Sequence, residues 1–396
     1  MKKKLAIIGA NYLQKPLVEK AVEMGIETHL FAWKDGAVAA PYADFFYPIS
    51  VLDRESILTI CKEVGVDGIT SVGSDTVMPT VNYVASEMGL IGNSLESTLF
   101  SINKYEMRKR LSVNEIRCPK FKVFYETDYV NDGALSYPLI VKPVDRGGSI
   151  GVTKVDDFEG INEALIKAIG KSFTGHAIVE EFIEGREFSV EMISKGGHHQ
   201  FIIVTEKVTT GFPHFVEIAH HQPAQITPKE EEKIVDVVKK SVDVLGLENG
   251  ATHSEVILSN SGDVWIVEIA GRMGGCFIGS HMVPYSTGFD YLKAVIDISL
   301  GNYELNKIGK RLKRHSGVYY VIPPPGRIDQ IEDRSTGFCE IRHVEILKSV
   351  GDIVSETTDG PDNRSAIMVY VGNKKVDLNP KEVVQFSMSD INCVAQ

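Results

Sequence analysis

The chain has 396 residues, a length that allows two or three domains with large buried cores. Its composition, 43% hydrophobic and 24% charged, is typical of a globular protein. The net charge of −11 provides no general excess of lysine and arginine, which argues against a nucleic-acid partner but allows a local basic nucleotide pocket. No run approaches the ~20 apolar residues of a membrane-spanning helix, so we expect no membrane association.

Cysteine usage points to a reducing compartment. The five cysteines are scattered and form no Cys-x-x-Cys pair, which disfavours a disulfide framework or a zinc site. The lysines at positions 2–4 resemble the start of a signal peptide, but the apolar run Leu5–Ala10 that follows is too short and is broken by Gly9. We therefore expect a cytoplasmic protein.

Strand and helix patterns alternate in the N-terminal part. The predicted order is strand Leu5–Ile8, helix Leu17–Met24, strand Glu27–Phe31, helix Ile57–Val64, strand Gly68–Val72 and helix Val77–Met88. This alternation predicts a doubly wound parallel α/β sheet. The turn at residues 9–14 keeps only the first glycine of G-x-G-x-x-G, which argues against a dinucleotide site. The loop Gly73–Asp75 follows a strand and is a candidate for holding part of a small substrate.

The rest of the chain mixes helices with short strands. Predicted helices are Leu95–Leu111, Phe158–Ile169 and Pro228–Leu245, and predicted strands include Tyr137–Pro143, Val152–Val155, Ala177–Ile183, Phe215–His220 and Ala251–Leu258. Thr205–His214 is predicted to be a mobile loop, and His198–His199 to lie in a surface hairpin. From Asn306 onwards, a rigid connector at Pro323–Gly326 and several short strands suggest a small α+β cap.

A strand that ends on Lys142 leads into the glycine-rich turn Asp145–Gly151. Glycines let backbone N–H groups approach phosphates, and a lysine supplies a point charge, so the segment is a candidate phosphate cradle. It is not a Walker A motif, because G-x-x-x-x-G-K-[ST] is absent. Taken alone, the segment is equally well explained as a tight β-hairpin.

The segment Glu180–Glu187 has the pattern of strand, turn and strand, and is rich in carboxylates. A chain that crosses between two lobes can present backbone groups to an adenine edge, and Glu187 can accept hydrogen bonds from ribose hydroxyls. Taken alone, the same segment is more simply an exposed acidic turn.

Two carboxylates and an arginine form the most informative set in the sequence. Glu268 ends an apolar strand, Arg272 follows in a glycine-rich turn, and Glu255 lies on another apolar strand upstream. Carboxylates on adjacent strands can hold divalent cations over a polyphosphate, and an arginine can stabilise charge on a transferred phosphoryl group. A purely structural hairpin would rarely need two such carboxylates.

Together and in this order, the segments resemble the ATP-grasp superfamily of ATP-dependent carboxylate–amine ligases. They are Lys104, Ile-Val-Lys142-Pro, Arg-Gly-Gly-Ser-Ile-Gly151, Val-Glu180-Glu-Phe-Ile-Glu-Gly-Arg-Glu187, His-Ser-Glu255 and Glu268-Ile-Ala-Gly-Arg272. The resemblance implies a mixed α/β and α+β fold. It would have an N-terminal doubly wound parallel α/β domain at 1–92, a two-lobed ATP-grasp core at 93–305 with a small lobe at 115–185, and a C-terminal α+β segment at 306–396 packed on that core.

The resemblance also implies roles for single residues. Lys104 and Lys142 would contact the nucleotide phosphates, with Lys142 also acting in catalysis. The remaining nucleotide contacts would come from the loop residues Gly147, Gly148, Ser149 and Gly151 over the β- and γ-phosphates, from Glu180, Glu181, Phe182 and Ile183 around adenine, and from Glu187 at the ribose.

The metal-binding residues implied by the resemblance are Glu255 and Glu268, which would hold two Mg²⁺ (or Mn²⁺) ions. Arg272 would face the transferred phosphoryl group. Many family members read Glu-Ile-Asn-Pro-Arg, with the asparagine as a further metal ligand, whereas this chain has Ala270 at that place. The Glu-x-x-x-Arg form resembles the branch that contains L-amino-acid (dipeptide) ligases.

Substrate contacts are harder to assign. Glu217 and His220 alternate on a predicted strand and are candidates for facing the acceptor amine, although a solvated strand edge explains them slightly better. His253 shares its strand face with Glu255 and either orients a ligand or fills the core. Met273 and Cys276 flank the glycine turn and are expected to pack against the substrate pocket without reacting.

The leading hypothesis is an ATP-dependent ligase. It would join a small carboxylate, plausibly an amino acid, to an amine through an acyl-phosphate, with ATP as cosubstrate and ADP and phosphate as products. One alternative keeps the fold but uses purine or carbamoyl-phosphate-type chemistry. Another is a nucleotide-binding regulatory protein without catalysis, which Ala270 keeps open. A homodimer is also left open.

Overall fold

The computed structural model describes residues 2–127, 133–211, 216–305, 312, 314–355, 360 and 364–390. It contains two compact units, each built from three segments of the chain. Unit 1 comprises Met1–Cys118, Phe188–Val204 and Gln225–Leu312; unit 2 comprises Pro119–Glu187, Thr205–Ala224 and Lys313–Gln396. The domain boundaries proposed from the sequence remain predictions.

The strands are β1 Lys4–Ile8, β2 Glu27–Phe31, β3 Phe45–Tyr47, β4 Gly68–Thr70, β5 Phe121–Phe124, β6 Leu139–Pro143, β7 Thr153–Val155, β8 Ala177–Glu181, β9 Gly185–Lys195, β10 His198–Thr209, β11 Glu217–Gln222, β12 Gly250–Ser259, β13 Val264–Ala270, β14 His315–Val321, β15 Gly326–Asp333, β16 Ile341–Ile346, β17 Ile353–Val354, β18 Ala366–Gly372 and β19 Val384–Ser389. The α-helices are α1 Lys15–Glu23, α2 Arg54–Val64, α3 Met78–Met88, α4 Leu95–Ile102, α5 Lys104–Val113, α6 Ile161–Lys171, α7 Pro228–Val244, α8 Val283–Thr287, α9 Tyr291–Ser299 and α10 Pro380–Val383.

Unit 1 begins with a parallel sheet in the order β3-β2-β1-β4. Strands β1, β2 and β4 are buried almost throughout, as expected where helices cover both faces of a sheet, and Leu5 and Ile7 are fully buried. Helix α2 begins where the Asp53 side chain accepts a hydrogen bond from Ser56 N, and it ends at Gly65 in the left-handed conformation. The parallel α/β arrangement predicted from the sequence is confirmed.

The rest of unit 1 contains part of a second sheet. In it, β12 pairs antiparallel with β13 on one side and lies beside β9 on the other. Helix α7 packs on β12 and β13. It starts with a capping box, in which Thr227 and Glu230 satisfy each other's backbone N–H groups. The observed helix matches the predicted Pro228–Leu245 within one residue.

Unit 2 contains a small antiparallel sheet in the order β5-β8-β6-β7, with α6 packed on β6. Val141, Leu165 and Val179 are fully buried between the helix and the sheet. This sheet carries Lys142 and Glu180, so two of the predicted site residues lie on neighbouring strands.

The C-terminal strands of unit 2 extend a sheet rather than forming a separate cap. The end of β10 pairs with β11, and the order continues through β14, β18 and β16. Strands β17, β15 and β19 form a second, smaller sheet. The pattern after Asn306 predicted short strands but not their partner, because pairing over long sequence separations leaves no local signal.

Two predicted elements differ from the structure. The single helix predicted at Leu95–Leu111 is two helices, because Asn103 leaves the helical conformation and caps α5 through bonds from Tyr105 N and Glu106 N. The predicted loop Thr205–His214 is wrong in its first part, since β10 runs to Thr209 and is paired with β11. Residues 212–215 lie outside the described residues, so the rest of that loop and the predicted start of the next strand at Phe215 are not described.

The hairpin predicted around His198–His199 is present: β9 and β10 are joined by a turn at Gly196 and Gly197. The His199 ring, however, is held on both sides, by Ser194 Oγ at 2.7 Å and Asp243 Oδ1 at 2.8 Å. Within the described ranges, no helix is long and apolar enough to cross a membrane.

Candidate active site

Glu255 on β12 and Glu268 on β13 are direct cross-strand partners. Side chains of opposed residues in an antiparallel pair have Cβ atoms ~5 Å apart, so the two carboxylates lie on one face within reach of a common ion. The register shifts immediately after Glu255, an irregularity of the kind that reorients side chains next to functional sites. The two side chains remain partly accessible, at 26% and 19% of their surface. The inward pair predicted in the sequence is therefore present.

Lys104 lies at the first turn of α5 and donates to Glu268 Oε1 at 3.0 Å. Its side chain is only 6% exposed. One turn later on the same helix, the fully buried Arg108 donates from Nη2 to the carbonyl of Val267 at 2.6 Å. The helix thus fixes both the backbone and the side chain at the end of β13. Lys104 was predicted to contact phosphates, and in the structure it is placed beside a predicted metal ligand.

Arg272 follows β13 and forms a two-point ion pair with Asp75. Nε donates to Oδ1 at 2.9 Å and Nη2 to Oδ2 at 2.7 Å. Burial lowers the pKa of a guanidinium, but here the Asp75 carboxylate outweighs burial and raises the Arg272 pKa above its ordinary value. Asp75 belongs to the loop Gly73–Asp75 that the sequence marked as a candidate substrate loop.

His253, two residues before Glu255, shares its face of β12 as predicted. Its Nδ1 is hydrogen-bonded to Glu191 Oε1 on β9, and its Nε2 lies 3.8 Å from Glu255 Oε1. Burial alone would lower the His253 pKa, but the charge of Glu191 and its hydrogen bond raise it to about 9. The imidazole lies between two carboxylates, Glu191 and Glu255.

The donor set fits a magnesium ion that is completed by other ligands. In the described part of the chain, no three His, Cys, Asp or Glu side chains are grouped so as to hold a metal. Ala270, which pairs with His253 across the strands, contributes no donor atom. Mg²⁺ commonly uses one or two carboxylates together with waters and substrate phosphates, so a pair such as Glu255 and Glu268 would suffice as protein ligands.

In unit 2, Lys142 on β6 and Glu180 on β8 form a buried ion pair. Nζ lies 2.6 Å from Oε2, and both side chains are less than 10% exposed, at 7% and 3%. The two residues, predicted to meet phosphate and adenine respectively, therefore lie together.

The glycine-rich turn after β6 has the backbone that its sequence predicts. Gly148, Ser149 and Gly151 all have positive φ, at 67°, 59° and 72°. At Gly151 a Cβ would meet Pro143 Cγ at 3.1 Å and Lys171 Cβ at 3.2 Å. The turn is anchored at its start by Asp145, whose carboxylate accepts bonds from Thr174 N at 2.8 Å and Phe173 N at 3.1 Å.

The segment after β8 is partly used in structural hydrogen bonds. Glu181 Oε1 accepts from Ser136 N at 3.0 Å, and Phe182 N donates to the carbonyl of Pro138 at 2.9 Å. Ile183 follows with a half-buried side chain outside the strand. Glu187 Oε2 lies 3.6 Å from Lys207 Nζ on β10.

Glu217 on β11 is the centre of a buried charged cluster in unit 2. Its carboxylate contacts Lys207 Nζ at 3.0 Å and Arg364 Nη2 at 2.6 Å, and His220 Nε2 lies 3.7 Å away. Burial would raise the Glu217 pKa, but Lys207 and the other neighbours hold it well below its ordinary value. Burial is also the main reason that the His220 pKa is lowered. Glu217 and His220 do not form the solvated edge that was the simpler alternative.

Sequence reasoning missed three members of these clusters: Glu191, Lys207 and Arg364. A signal existed for Glu191, which is an isolated charge in the otherwise apolar run Phe188–Ile193. Arg364 lies 147 positions from its partner Glu217 and has no such signal.

The sequence was compared with models of known protein families. Residues 135–280 match the model of the ATP-grasp domain. This part of the chain is therefore similar to the ATP-grasp domain. The matched region includes Lys142, the glycine-rich turn, Glu180, Glu255, Glu268 and Arg272.

Proteins with a similar sequence include amino-acid ligases. The alanine–anticapsin ligase of Bacillus subtilis (strain 168) is 27% identical over 272 residues, which cover 62% of this chain and 56% of that protein. The L-arginine-specific L-amino acid ligase of Bacillus subtilis is 23% identical over 318 residues, covering 76% and 75%. The chain thus spans only a little over half the length of the first of these relatives.

The fold is shared over a greater length. The crystal structure of an L-amino acid ligase from Bacillus licheniformis has a TM-score of 0.83 with 22% identity, and the match covers 98% of this chain and 99% of that one. The mixed α/β architecture predicted from the sequence is therefore confirmed.

Proposed function

We propose that the chain is an ATP-dependent ligase that joins the carboxylate of a small substrate, an amino acid, to an amine. An acyl-phosphate is the intermediate, and ADP and phosphate are the products. The observation that carries the proposal is the in-register pair Glu255 and Glu268, with Lys104 on one carboxylate and Arg272 four residues further on. The similarity to amino-acid ligases supports the choice of substrate class.

Unit 2 supplies the groups suited to a nucleotide. The backbone N–H groups of the turn Gly147–Gly151 and the charge of Lys142 suit the phosphates. Glu180 and Glu181, with the backbone of Phe182 and Ile183, are proposed to surround adenine, and Glu187 to hold the ribose.

Unit 1 supplies the groups suited to the transferred phosphoryl group. Glu255 and Glu268 would hold Mg²⁺, and the number of ions is left open because Ala270 provides no further donor. When bound, the ion supplies charge neutralisation and alignment of the polyphosphate. Lys104 would balance the Glu268 charge or turn towards a phosphate oxygen.

The reaction has two steps, and the proposed roles follow from their charges. First, a carboxylate oxygen of the substrate attacks the γ-phosphorus of ATP, the bond to the β,γ-bridging oxygen breaks, and ADP leaves. Arg272, which stays protonated, is placed to stabilise the oxygens of the transferred group. Second, the neutral amine attacks the acyl carbon, phosphate leaves with its C–O bond broken, and the proton lost by the amine nitrogen passes to the departing phosphate or to water. No side-chain nucleophile takes part, so the protein's contributions are alignment, charge stabilisation and exclusion of water.

Two alternatives use the same fold. Purine or carbamoyl-phosphate-type chemistry would need bicarbonate or a ribosyl-amine, and the sequence relatives described above do not favour it. A regulatory protein that binds nucleotide without catalysis would have no need of Arg272, Lys104 and both carboxylates in one cluster. A cytoplasmic location and a homodimer remain predictions.

A product screen tests the proposal. Purified protein with ATP and Mg²⁺ is assayed for phosphate release against pairs of amino acids, polyamines and bicarbonate, and amide products are identified by mass spectrometry. We expect phosphate release that depends on an amino acid and is matched by an amide product. Arg272→Ala should lower turnover by roughly 100-fold or more while ATP still binds. Arg334→Ala, at an exposed arginine paired with Glu332, is the matched control and should act as wild type. Tight ATP binding without phosphate release in any mixture would exclude the ligase.

A further inference from the structure

A buried carboxylate that the proposed mechanism does not use connects the turn that carries Arg272 with the strand that carries Glu255. Glu191 on β9 is fully buried. Its Oε2 accepts a hydrogen bond from Gly274 N at 3.1 Å, and its Oε1 is bonded to His253 Nδ1. One side chain therefore contacts both the turn after β13 and the strand β12.

The first of these contacts fixes the turn that carries Arg272. At Gly274, a Cβ would lie 2.6 Å from Glu191 Oε1 and 2.8 Å from His253 Nδ1, distances that real Cβ atoms do not show. Glycine is therefore required for the carboxylate to reach the backbone. Gly274 is two residues after Arg272, whose own Nη1 donates to the carbonyl of Met273 at 3.2 Å. Glu191 therefore fixes the backbone of the turn to which the Arg272 guanidinium is hydrogen-bonded.

The second contact fixes His253. Because Nδ1 is bonded to Glu191, the ring is oriented with Nε2 towards Glu255, at 3.8 Å from Oε1. A carboxylate that orients a neighbour of a metal-binding group commonly determines how well that group is placed. Glu191 therefore reaches Glu255 through one imidazole and Arg272 through one turn of backbone.

We propose that Glu191 is a positioning residue that sets Arg272 and Glu255 at the same time, and that metal binding and turnover both depend on it. The inference rests on the proposed function, because it assigns a role within that reaction. Glu191 itself touches neither substrate nor metal in this account. It acts through Gly274 and His253.

The test is Glu191→Gln, which keeps the shape and one oxygen for Gly274 N but removes the charge that faces His253. Binding of Mn²⁺ is measured by electron paramagnetic resonance with ADP present, and thermal unfolding is measured alongside. We expect the Mn²⁺ dissociation constant to rise roughly tenfold or more, kcat to fall by a similar factor, and KM for ATP to stay within about twofold. Glu206→Gln is the matched control, since it removes a carboxylate on β10 that is bonded to Lys375 at 2.9 Å.

Unchanged Mn²⁺ affinity per folded molecule in Glu191→Gln would overturn the proposal and leave Glu191 a core residue. If this variant does not fold, Gly274→Ala takes its place, because its Cβ displaces the same carboxylate. The same rise in the Mn²⁺ dissociation constant then supports the proposal, and wild-type affinity overturns it. Since Mn²⁺ binding needs no turnover, the role of Glu191 is decided even if the wild-type protein forms no amide. That last result would instead refute the proposed function.

Discussion

Arg272 and Asp75 share two parallel hydrogen bonds, at 2.9 Å and 2.7 Å, so that one carboxylate fixes the plane of the guanidinium. This geometry is the strongest that an arginine and a carboxylate can form. It joins the turn after β13 to the loop after β4, two segments that are 197 positions apart in the chain. The arginine is therefore oriented before any substrate arrives.

From this pair we predict that Asp75→Asn keeps the fold but slows turnover. The neutral amide retains one acceptor and loses the second charge-assisted bond, so the guanidinium plane becomes less well defined. Loss of alignment at a reacting centre can cost up to about 100-fold in rate. Steady-state kinetics should show a lower kcat with KM for ATP little changed. Asp263→Asn, at an exposed partner of Arg117, is the control. Equal kcat in the two variants would show that Asp75 does not orient Arg272 for catalysis.

Removing the charge of a proposed magnesium ligand should affect a different kinetic constant from removing the charge of the proposed ribose ligand. Glu268→Gln removes a charge from the in-register pair, and we expect it to raise the Mg²⁺ concentration needed for half-maximal activity. Glu187→Gln removes the carboxylate whose Oε2 lies 3.6 Å from Lys207 Nζ, and it should instead raise KM for ATP. Mg²⁺ titrations of both variants at saturating ATP make the comparison. Equal shifts in Mg²⁺ dependence would count against the metal assignment.

Gly151, at the end of the glycine-rich turn, and Gly175 can be compared by the same substitution. Gly151 and Gly175 have nearly the same positive φ, 72° and 71°, so alanine at either place costs about 1–2 kcal/mol of backbone strain. Only at Gly151 does the new Cβ meet neighbours, Pro143 Cγ at 3.1 Å among them. We expect both variants to lose stability in urea unfolding, Gly151→Ala more than Gly175→Ala because of this crowding, and Gly151→Ala alone to bind ATP more weakly. Weaker ATP binding by Gly175→Ala to the same degree would show that the turn is not specific to the nucleotide.

The Glu217 cluster predicts a pH dependence of stability. Because the Glu217 pKa is held well below its ordinary value, the carboxylate contributes stability above its unfolded pKa and loses it as the pH falls through the folded value. Glu217→Gln leaves Lys207 and Arg364 without their shared anion and should cost roughly 3–5 kcal/mol near neutral pH. This difference from wild type should begin to shrink as the pH falls below about 5 and should continue to shrink towards the folded pKa in urea unfolding series. Glu106→Gln, at a surface pair with Lys109, should show no such convergence; a constant difference for Glu217→Gln would contradict the assignment.

The parts that the sequence could predict are those with a local pattern. Alternating apolar strands and helices gave the parallel sheet of β1 to β4, and the Thr227–Glu230 capping box marks the start of α7. The spacing of Glu255 and Glu268 placed them on adjacent strands, and the structure puts them in direct register.

The parts that it could not predict depend on distant partners. Asp75 was identified only as part of a loop, because nothing near it in sequence reveals that Arg272 is its partner. Arg364 and Glu217 meet across strands that are far apart in the chain. The single helix predicted at Leu95–Leu111 runs across Asn103, the residue that caps α5 and marks the break.

The most direct test of the central claim follows an oxygen atom. An amino acid whose carboxylate carries ¹⁸O is incubated with ATP, Mg²⁺ and an acceptor amine identified in the product screen, and the released phosphate is analysed by mass spectrometry. Formation and breakdown of an acyl-phosphate require one labelled oxygen to pass from the carboxylate into each phosphate, matched by one amide. Phosphate that carries no label while an amide is formed would contradict the acyl-phosphate mechanism.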